Sequence, residues 1–301
     1  MFQKLLICSD GSDNALDAAQ LGVVLAKHLG AEALALQVCE APSLVFTQAG
    51  PGSVIASREI TEEYVRIQAQ LHQERMHPLL EGTGVSFRIL QETGHPMGGI
   101  VHVAEREHVN LIVMGSRGLH GIKEFFLGSV SRGVLHHAPC SVLVVRGKNA
   151  PLATKEFRHI LLVSDGSEGA GKAAVAAVEI ADRFATSLTV LNVVEPFASI
   201  PIDKAEINGL PVELNSDAVA CRLRRIVEDS VKQIAEPEGV YCSFHQERGQ
   251  AEETIVGFAD WHHADLIVMG SRGLGGFGRL LLGSVSNAVA HHADCPVLIV
   301  R

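Results

Sequence analysis

The chain has 301 residues, enough for two domains at ~150 residues each, and its 47% hydrophobic and 20% charged content excludes disordered and collagen-like architectures. With 25 Lys and Arg against 34 Asp and Glu, the formal charge is −9, so the long-range field repels nucleic-acid backbones and anionic membranes, and neither is expected as a partner. Apolar runs such as Leu111-Ile112-Val113-Met114 have only strand length against the ~20 residues of a bilayer span, and the amino terminus lacks a charged lead-in and a cleavage site, so cytoplasmic residence is expected.

Short apolar runs alternate with longer stretches of helical period, the pattern of β-α-β construction around a mainly parallel sheet. The first strand is predicted from Lys4 to Cys8, followed by a helix from about Asn14 to Leu29 that Gly30 ends. A second strand runs from Ala33 to Val38. Residues 41–57 carry Pro42, Pro51 and Gly52 and read as an excursion before a helix from about Glu59 to Leu80. A strand from Val85 to Gln91, a helix near Met97 to Glu107 and a strand from Leu111 to Gly115 follow. The last helix opens at Gly128 and closes before Pro139, and Ser141 to Val145 is the fifth strand.

The whole series then repeats at a constant offset of 155 residues: Asp10 maps to Asp165, Val38 to Val193, Gly115 to Gly270, Ser129 to Ser284 and Cys140 to Cys295. Both units are 146 residues long, 1–146 and 156–301, and the nine residues 147–155 have linker composition. The expected fold is α/β: two tandem Rossmann-like doubly wound domains, each a five-stranded, mainly parallel sheet flanked by helices. Ligands of such sheets bind beyond the carboxyl ends of the strands, where the winding reverses.

At that edge the first unit reads Gly115-Ser116-Arg117-Gly118, nine residues, Gly128-Ser129-Val130-Ser131. The second reads Gly270-Ser271-Arg272-Gly273, nine residues, Gly283-Ser284-Val285-Ser286. Gly115 and Gly118 are expected to supply positive φ and close backbone approach, and the helix opening at Ser129 offers amide hydrogens and a dipole to an anion. Between 111–146 and 266–301, 24 of 36 aligned residues are identical, and the glycines and serines are kept while Phe125-Phe126 becomes Leu280-Leu281. Asp10, in Ser9-Asp10-Gly11-Ser12, reads either as a cap of the following helix or as a ligand group.

On these residues the chain resembles a tandem member of the universal stress protein family, over nearly its whole length. The most specific shared element is the nucleotide signature G-x2-G-x9-G-[S/T], met by Gly115, Gly118, Gly128 and Ser129 and again by Gly270, Gly273, Gly283 and Ser284. The resemblance implies two ATP sites per chain, with Mg2+ or Mn2+ on the phosphates. It implies that Asp10 and Asp165 meet the ribose or adenine, and that Val38 and Val193 wall the adenine. Gly115, Gly118, Gly270 and Gly273 would approach ribose and phosphates. Ser129, Val130 and Ser131, with Ser284, Val285 and Ser286, would donate to the phosphate tail. It also implies that the terminal strands pair, making an intramolecular pseudo-dimer with a homodimer as a further step.

Catalytic signals are weaker. No G-x-x-x-x-G-K-[ST] string occurs, which excludes the P-loop class, and slow or absent hydrolysis is expected from a sensor or switch. An adenylate-using enzyme and a nucleotide-free scaffold remain as alternatives. His136-His137 and His291-His292 precede Cys140 and Cys295, but they read as helix-end residues rather than thiol activators. Arg117 and Arg272 are either phosphate partners or exposed. His120 and Lys123 give way to Gly275 and Gly278 in the second unit, so the two sites are expected to differ. The six cysteines read as reduced fillers without metal-ligand spacing, and Arg222, Arg224 and Arg225 as a solvated helix face.

Overall fold

Strand β1 (Lys4–Cys8) forms where four successive apolar residues can be covered on both faces, the requirement of a central parallel strand. Leu5, Leu6 and Ile7 have no exposed surface. The computed structural model describes residues 1–40, 53–118, 127–146, 156–195, 206–207, 210–211, 216–273 and 282–301. They divide into two units, Met1–Glu156 and Phe157–Arg301. The 147–155 linker and most of the 41–57 excursion lie outside the described residues.

In the first unit β1 leads into α1 (Asp13–Leu29), β2 (Glu32–Cys39), α2 (Ser53–Leu80), β3 (Phe87–Thr93), α3 (Pro96–Arg106), β4 (Leu111–Gly115), α4 (Ser129–His137) and β5 (Ser141–Val145). The strands pair in the order β3-β2-β1-β4-β5, all parallel. β1 pairs with both β2 and β4, so the winding reverses between β1 and β4, as the doubly wound expectation requires. Helices α1 and α2 pack together against the sheet, as do α3 and α4.

The second unit repeats the plan with β6 (Ile160–Val163), α5 (Glu168–Arg183), β7 (Leu188–Val194), a short antiparallel pair β8 (Glu206–Ile207) and β9 (Leu210–Pro211), α6 (Ser216–Ala235), β10 (Cys242–Arg248), α7 (Ala251–Trp261), β11 (Leu266–Gly270), α8 (Ser284–His292) and β12 (Val297–Val300). Its parallel order is β10-β7-β6-β11-β12. β4 and β11, like α4 and α8, sit at the same 155-residue offset as their sequences.

Two expectations shift. The third strand starts at Phe87 rather than Val85 and runs to Thr93, because the β2 pairing continues to Cys39 opposite Thr93. Helix α2 begins at Ser53, so the end of the supposed excursion is helical. Elsewhere local rules hold. Ser12 Oγ accepts from Ala15 N at 3.3 Å to cap α1, and Gly30 closes that helix at φ 66°, a left-handed turn that glycine adopts without strain.

One polar group departs from the repeat inside the core. His72 on α2 is 3% exposed, its Nε2 lies 3.3 Å from Ala35 O, and position 227, its counterpart in α6, is a buried valine. Burial holds the His72 imidazole below the ordinary histidine range, outweighing the backbone contact. The unfolded chain therefore binds a proton at a pH where the native chain resists it, and stability drops as pH falls through about 6.5. His72→Val, which copies the second unit, is expected to gain stability relative to wild type as pH is lowered from 7.5 to 5.5. Urea midpoints of both proteins at the two pH values check this; parallel pH profiles would refute it.

Candidate functional site

Beyond the carboxyl ends of β1, β2 and β4 the first unit opens a cleft of about 1010 Å³. Asp10, Val38, Gly115, Gly118, Gly128, Ser129, Val130 and Ser131, separated by more than a hundred residues of sequence, all line it. The topology brings them together: β1 and β4 are neighbours at the winding switch, and the loops leaving them face each other.

Asp10 does not cap α1, because Ser12 does. Its Oδ1 instead accepts from Ser12 N at 3.0 Å and Ser12 Oγ at 2.6 Å, a local turn that fixes the carboxylate just past β1. Gly11, at φ +82°, makes the turn, and its carbonyl accepts from Arg75 Nη1 at 2.8 Å. Asp165 repeats the turn, its Oδ1 accepting from Ser167 N at 3.0 Å, with Ser167 capping α5 and Gly166 at φ +79°.

The loop glycines meet one half of the expectation, close approach, and not the other, positive φ. Gly115, Gly118, Gly270 and Gly273 are not among the glycines with positive φ; what their positions require is the missing side chain. A Cβ on Gly115 would lie 2.8 Å from Asn14 O, and one on Gly270 2.8 Å from Gly169 O, so the first turn of α1 presses directly on the end of β4 and that of α5 on the end of β11. A Cβ on Gly118 would overlap Asp10 Oδ2, and one on Gly273 would overlap Asp165 Oδ2. Each carboxylate therefore reaches across to the glycine loop through a gap that only glycine leaves.

The opposite wall is the amino end of α4. Its cap position is Gly128, with no side chain to occupy the first amides, and the first helical bond runs from Arg132 N to Gly128 O at 2.9 Å. The N–H groups of Ser129, Val130 and Ser131 precede that bond and form the positive end of the helix dipole. Gly283 and α8 repeat this, with Asn287 N to Gly283 O at 2.9 Å. Ser129 and Ser284 are exposed, and Val130 and Val285 half-buried. Ser131 is different: its buried hydroxyl donates to Gly115 O at 2.9 Å and Ser116 O at 3.2 Å, bracing α4 on the end of β4. Ser286 does the same with Ser271 O at 3.0 Å and Gly283 O at 3.1 Å. These two serines thus offer a ligand their amides rather than their hydroxyls.

Val38 and Val193 are half-buried at the ends of β2 and β7. Val38 also packs so closely on Gly99 of α3 that a Cβ there would come within 2.8 Å of it, so it serves the core as well as the cleft wall. Gln37, Glu40, Tyr64, Gln68, His95 and Arg117 complete the wall, and apart from Arg117 none was singled out by the repeat. Tyr64 and Gln68 become Val219 and Leu223, so comparing the halves erases them. His120, Lys123, Gly275 and Gly278 lie outside the described residues, as do Phe125-Phe126 and Leu280-Leu281.

The thiol and histidine groups behave structurally. Burial pushes the Cys295 thiol up to about 12, helped by Asp260, Asp265 and Asp294, and raises Cys8 as well. His137 Nδ1 lies 2.8 Å from Gly133 O one turn back, and His262 stacks on Phe258 at 4.0 Å. Cys8, Cys39 and Cys295 are buried as fillers, whereas Cys221 is exposed on α6 because its position faces outward. Arg222, Arg224 and Arg225 are exposed, with Arg224 Nε 2.7 Å from Glu228. Among the described residues no three His, Cys, Asp or Glu side chains converge as a metal site, and no helix is long and apolar enough to cross a membrane.

A family model described as the universal stress protein family matches residues 1–146 and 156–301. A universal stress protein of Mycobacterium bovis is 29% identical over 256 residues, covering 81% of this chain and 76% of the relative. One of Bacillus subtilis is 35% identical over 153 residues, 48% of this chain and all of the relative. The crystal structure of a universal stress protein from Archaeoglobus fulgidus has a TM-score of 0.64 at 23% identity, covering 99% of this chain and 96% of that one, and shows the shared fold.

The two glycines of the loop should separate cleanly on substitution. Gly115→Ala forces a methyl against helix backbone and is expected to cost about 1–3 kcal/mol of stability. Gly118→Ala meets only an exposed carboxylate and should stay within about 0.5 kcal/mol of wild type. Urea unfolding of both variants measures the difference; equal losses would contradict the contacts described.

Proposed function

The chain belongs to the universal stress protein family, and from that premise we propose that it is a cytoplasmic nucleotide-binding sensor or switch with one ATP site in each half. The observation that carries this reading is the pairing of a carboxylate with a glycine gap opposite an open helix terminus, present in both halves. Oriented amides at a helix start match a polyphosphate, and an acceptor carboxylate fixed beside them matches ribose hydroxyls or a base amine.

In this reading Asp10 and Asp165 hold the nucleoside, Val38 and Val193 cover the base, and Gly118 and Gly273 let the ligand approach the loop. The amides of Ser129 to Ser131, and of Ser284 to Ser286, carry the phosphates. Gly128 and Gly283 leave those amides open, and Gly115 and Gly270 seat the neighbouring helix. The residues fit a nucleotide through these gaps and donors; Mg2+ or Mn2+ would be held mainly by phosphate oxygens. A phosphate chain held mainly by backbone amides has few sources of rate acceleration, so occupancy rather than turnover is the output. The two halves act as an intramolecular pseudo-dimer whose further self-association responds to nucleotide.

Calorimetric titration of the full chain with ATP and magnesium is expected to give a stoichiometry near two. Gly118→Val and Gly273→Val should each remove about one equivalent. A stoichiometry of zero, or turnover near the ~10 per second of ordinary enzymes, would overturn the reading. Sedimentation with and without ATP tests the switch: an unchanged distribution would remove assembly as its output.

A further inference from the structure

Among the described residues that line the cleft, Gln37 holds a buried acceptor without a donor: it is 7% exposed, and its Oε1, shielded from solvent, has no hydrogen-bond partner there. A buried acceptor without a partner is costly, and native folds seldom leave one without a reason. The second half shows how the same place looks when closed. There the counterpart is Asn192, whose Nδ2 donates to Ser164 O at 2.9 Å and whose Oδ1 accepts from Gln246 Nε2 at 2.8 Å.

Two substitutions accompany the difference: the side chain is Gln37 rather than the shorter Asn192, and Cys39 stands where the second half has Val194. Gln246 on β10 also donates to Ala220 O at 2.9 Å, and its counterpart Gln91 on β3 donates to Val65 O at 3.0 Å, so both glutamines are tied to the same point of the adjacent helix. The remaining hydrogen of Gln91 goes to Cys39 Sγ at 3.2 Å, where the second half has Val194 and offers no acceptor. Cys39 thereby draws Gln91 away from Gln37, and the amide oxygen is left over at the cleft wall.

We infer that Gln37 is a specificity-determining residue of the first site, its amide oxygen accepting a hydrogen from the exocyclic amine of a 6-aminopurine, so that the first half discriminates amino from oxo purines while the second, with its amide already paired, does so less. This rests on the nucleotide reading above. Recognition of the bound base requires a rotation about the last side-chain bond that turns the oxygen from the wall toward it. A 6-oxopurine presents an acceptor at that place and leaves Oε1 without a donor, the arrangement by which buried polar groups reject analogues.

The test compares ATP with ITP in calorimetric titrations of the full chain in two single-site forms, Gly273→Val leaving the first site and Gly118→Val the second. The first site is expected to prefer ATP by at least about tenfold more than the second does, the scale of one hydrogen bond. Adding Gln37→Met to the Gly273→Val form should weaken ATP about tenfold and leave ITP unchanged, with thermal melts confirming the fold. Equal preference at both sites, or a Gln37→Met form that keeps both ATP affinity and preference, overturns the inference alone. Failure of the wild-type chain to bind either nucleotide overturns the nucleotide reading itself.

Discussion

Everything at the ligand edge depends on how closely backbone can approach backbone where β4 and β11 end. With no side chain on Gly115, the first turn of α1 lies against the strand end, and Gly270 makes the same allowance for α5. That contact sets the height of the β1–α1 turn, hence the place of the Asp10 carboxylate, and Gly118 then receives it. Ser131 ties the opposite helix to the same strand end through the carbonyls of Gly115 and Ser116. A handful of close contacts around one strand terminus thus positions both walls of the cleft, and the second half repeats the scheme with its own residues.

The two helix ends beside this strand are treated in opposite ways. At α1 the Ser12 hydroxyl answers the Ala15 amide, whereas at α4 glycine occupies the cap and leaves the first amides open. Capping is a stabilising feature of most helices, so an uncapped end beside a cleft is a local loss that ligand binding can offset. The same logic applies at Gln37, where an amide oxygen goes without the partner its counterpart has. Both are places where the fold leaves a local group unsatisfied beside the cleft.

Much of this was legible in the sequence, because periodicity and repetition are strong signals. The five parallel strands of a doubly wound sheet and the boundaries of β1, β4 and β5 follow from alternating patterns and a 155-residue offset, and the gathering of Asp10, Val38 and the glycine loop from the family resemblance. Which of the two expected reasons for the glycines applies was not legible: a sequence cannot distinguish a residue chosen for its dihedral angle from one chosen for empty space, and at Gly115 and Gly118 it is space. Nor could it reveal that the Ser131 hydroxyl is consumed by carbonyls. Tyr64, Gln68 and Gln37 escaped because they lie on a helix face and a strand where the halves diverge, so self-comparison averages them away. His72 escaped for the same reason, a polar residue in a helical pattern whose burial depends on what α2 packs against.

The short turn from Asp10 to Ser12 also bears on motion. Because the carboxylate is bonded to the amide and hydroxyl of Ser12, the residue that caps α1, it is held by the short β1–α1 turn and not by a long surface loop. Its thermal displacement should follow that of the turn, so a carboxylate held this way has little orientational entropy left to lose in the association proposed above.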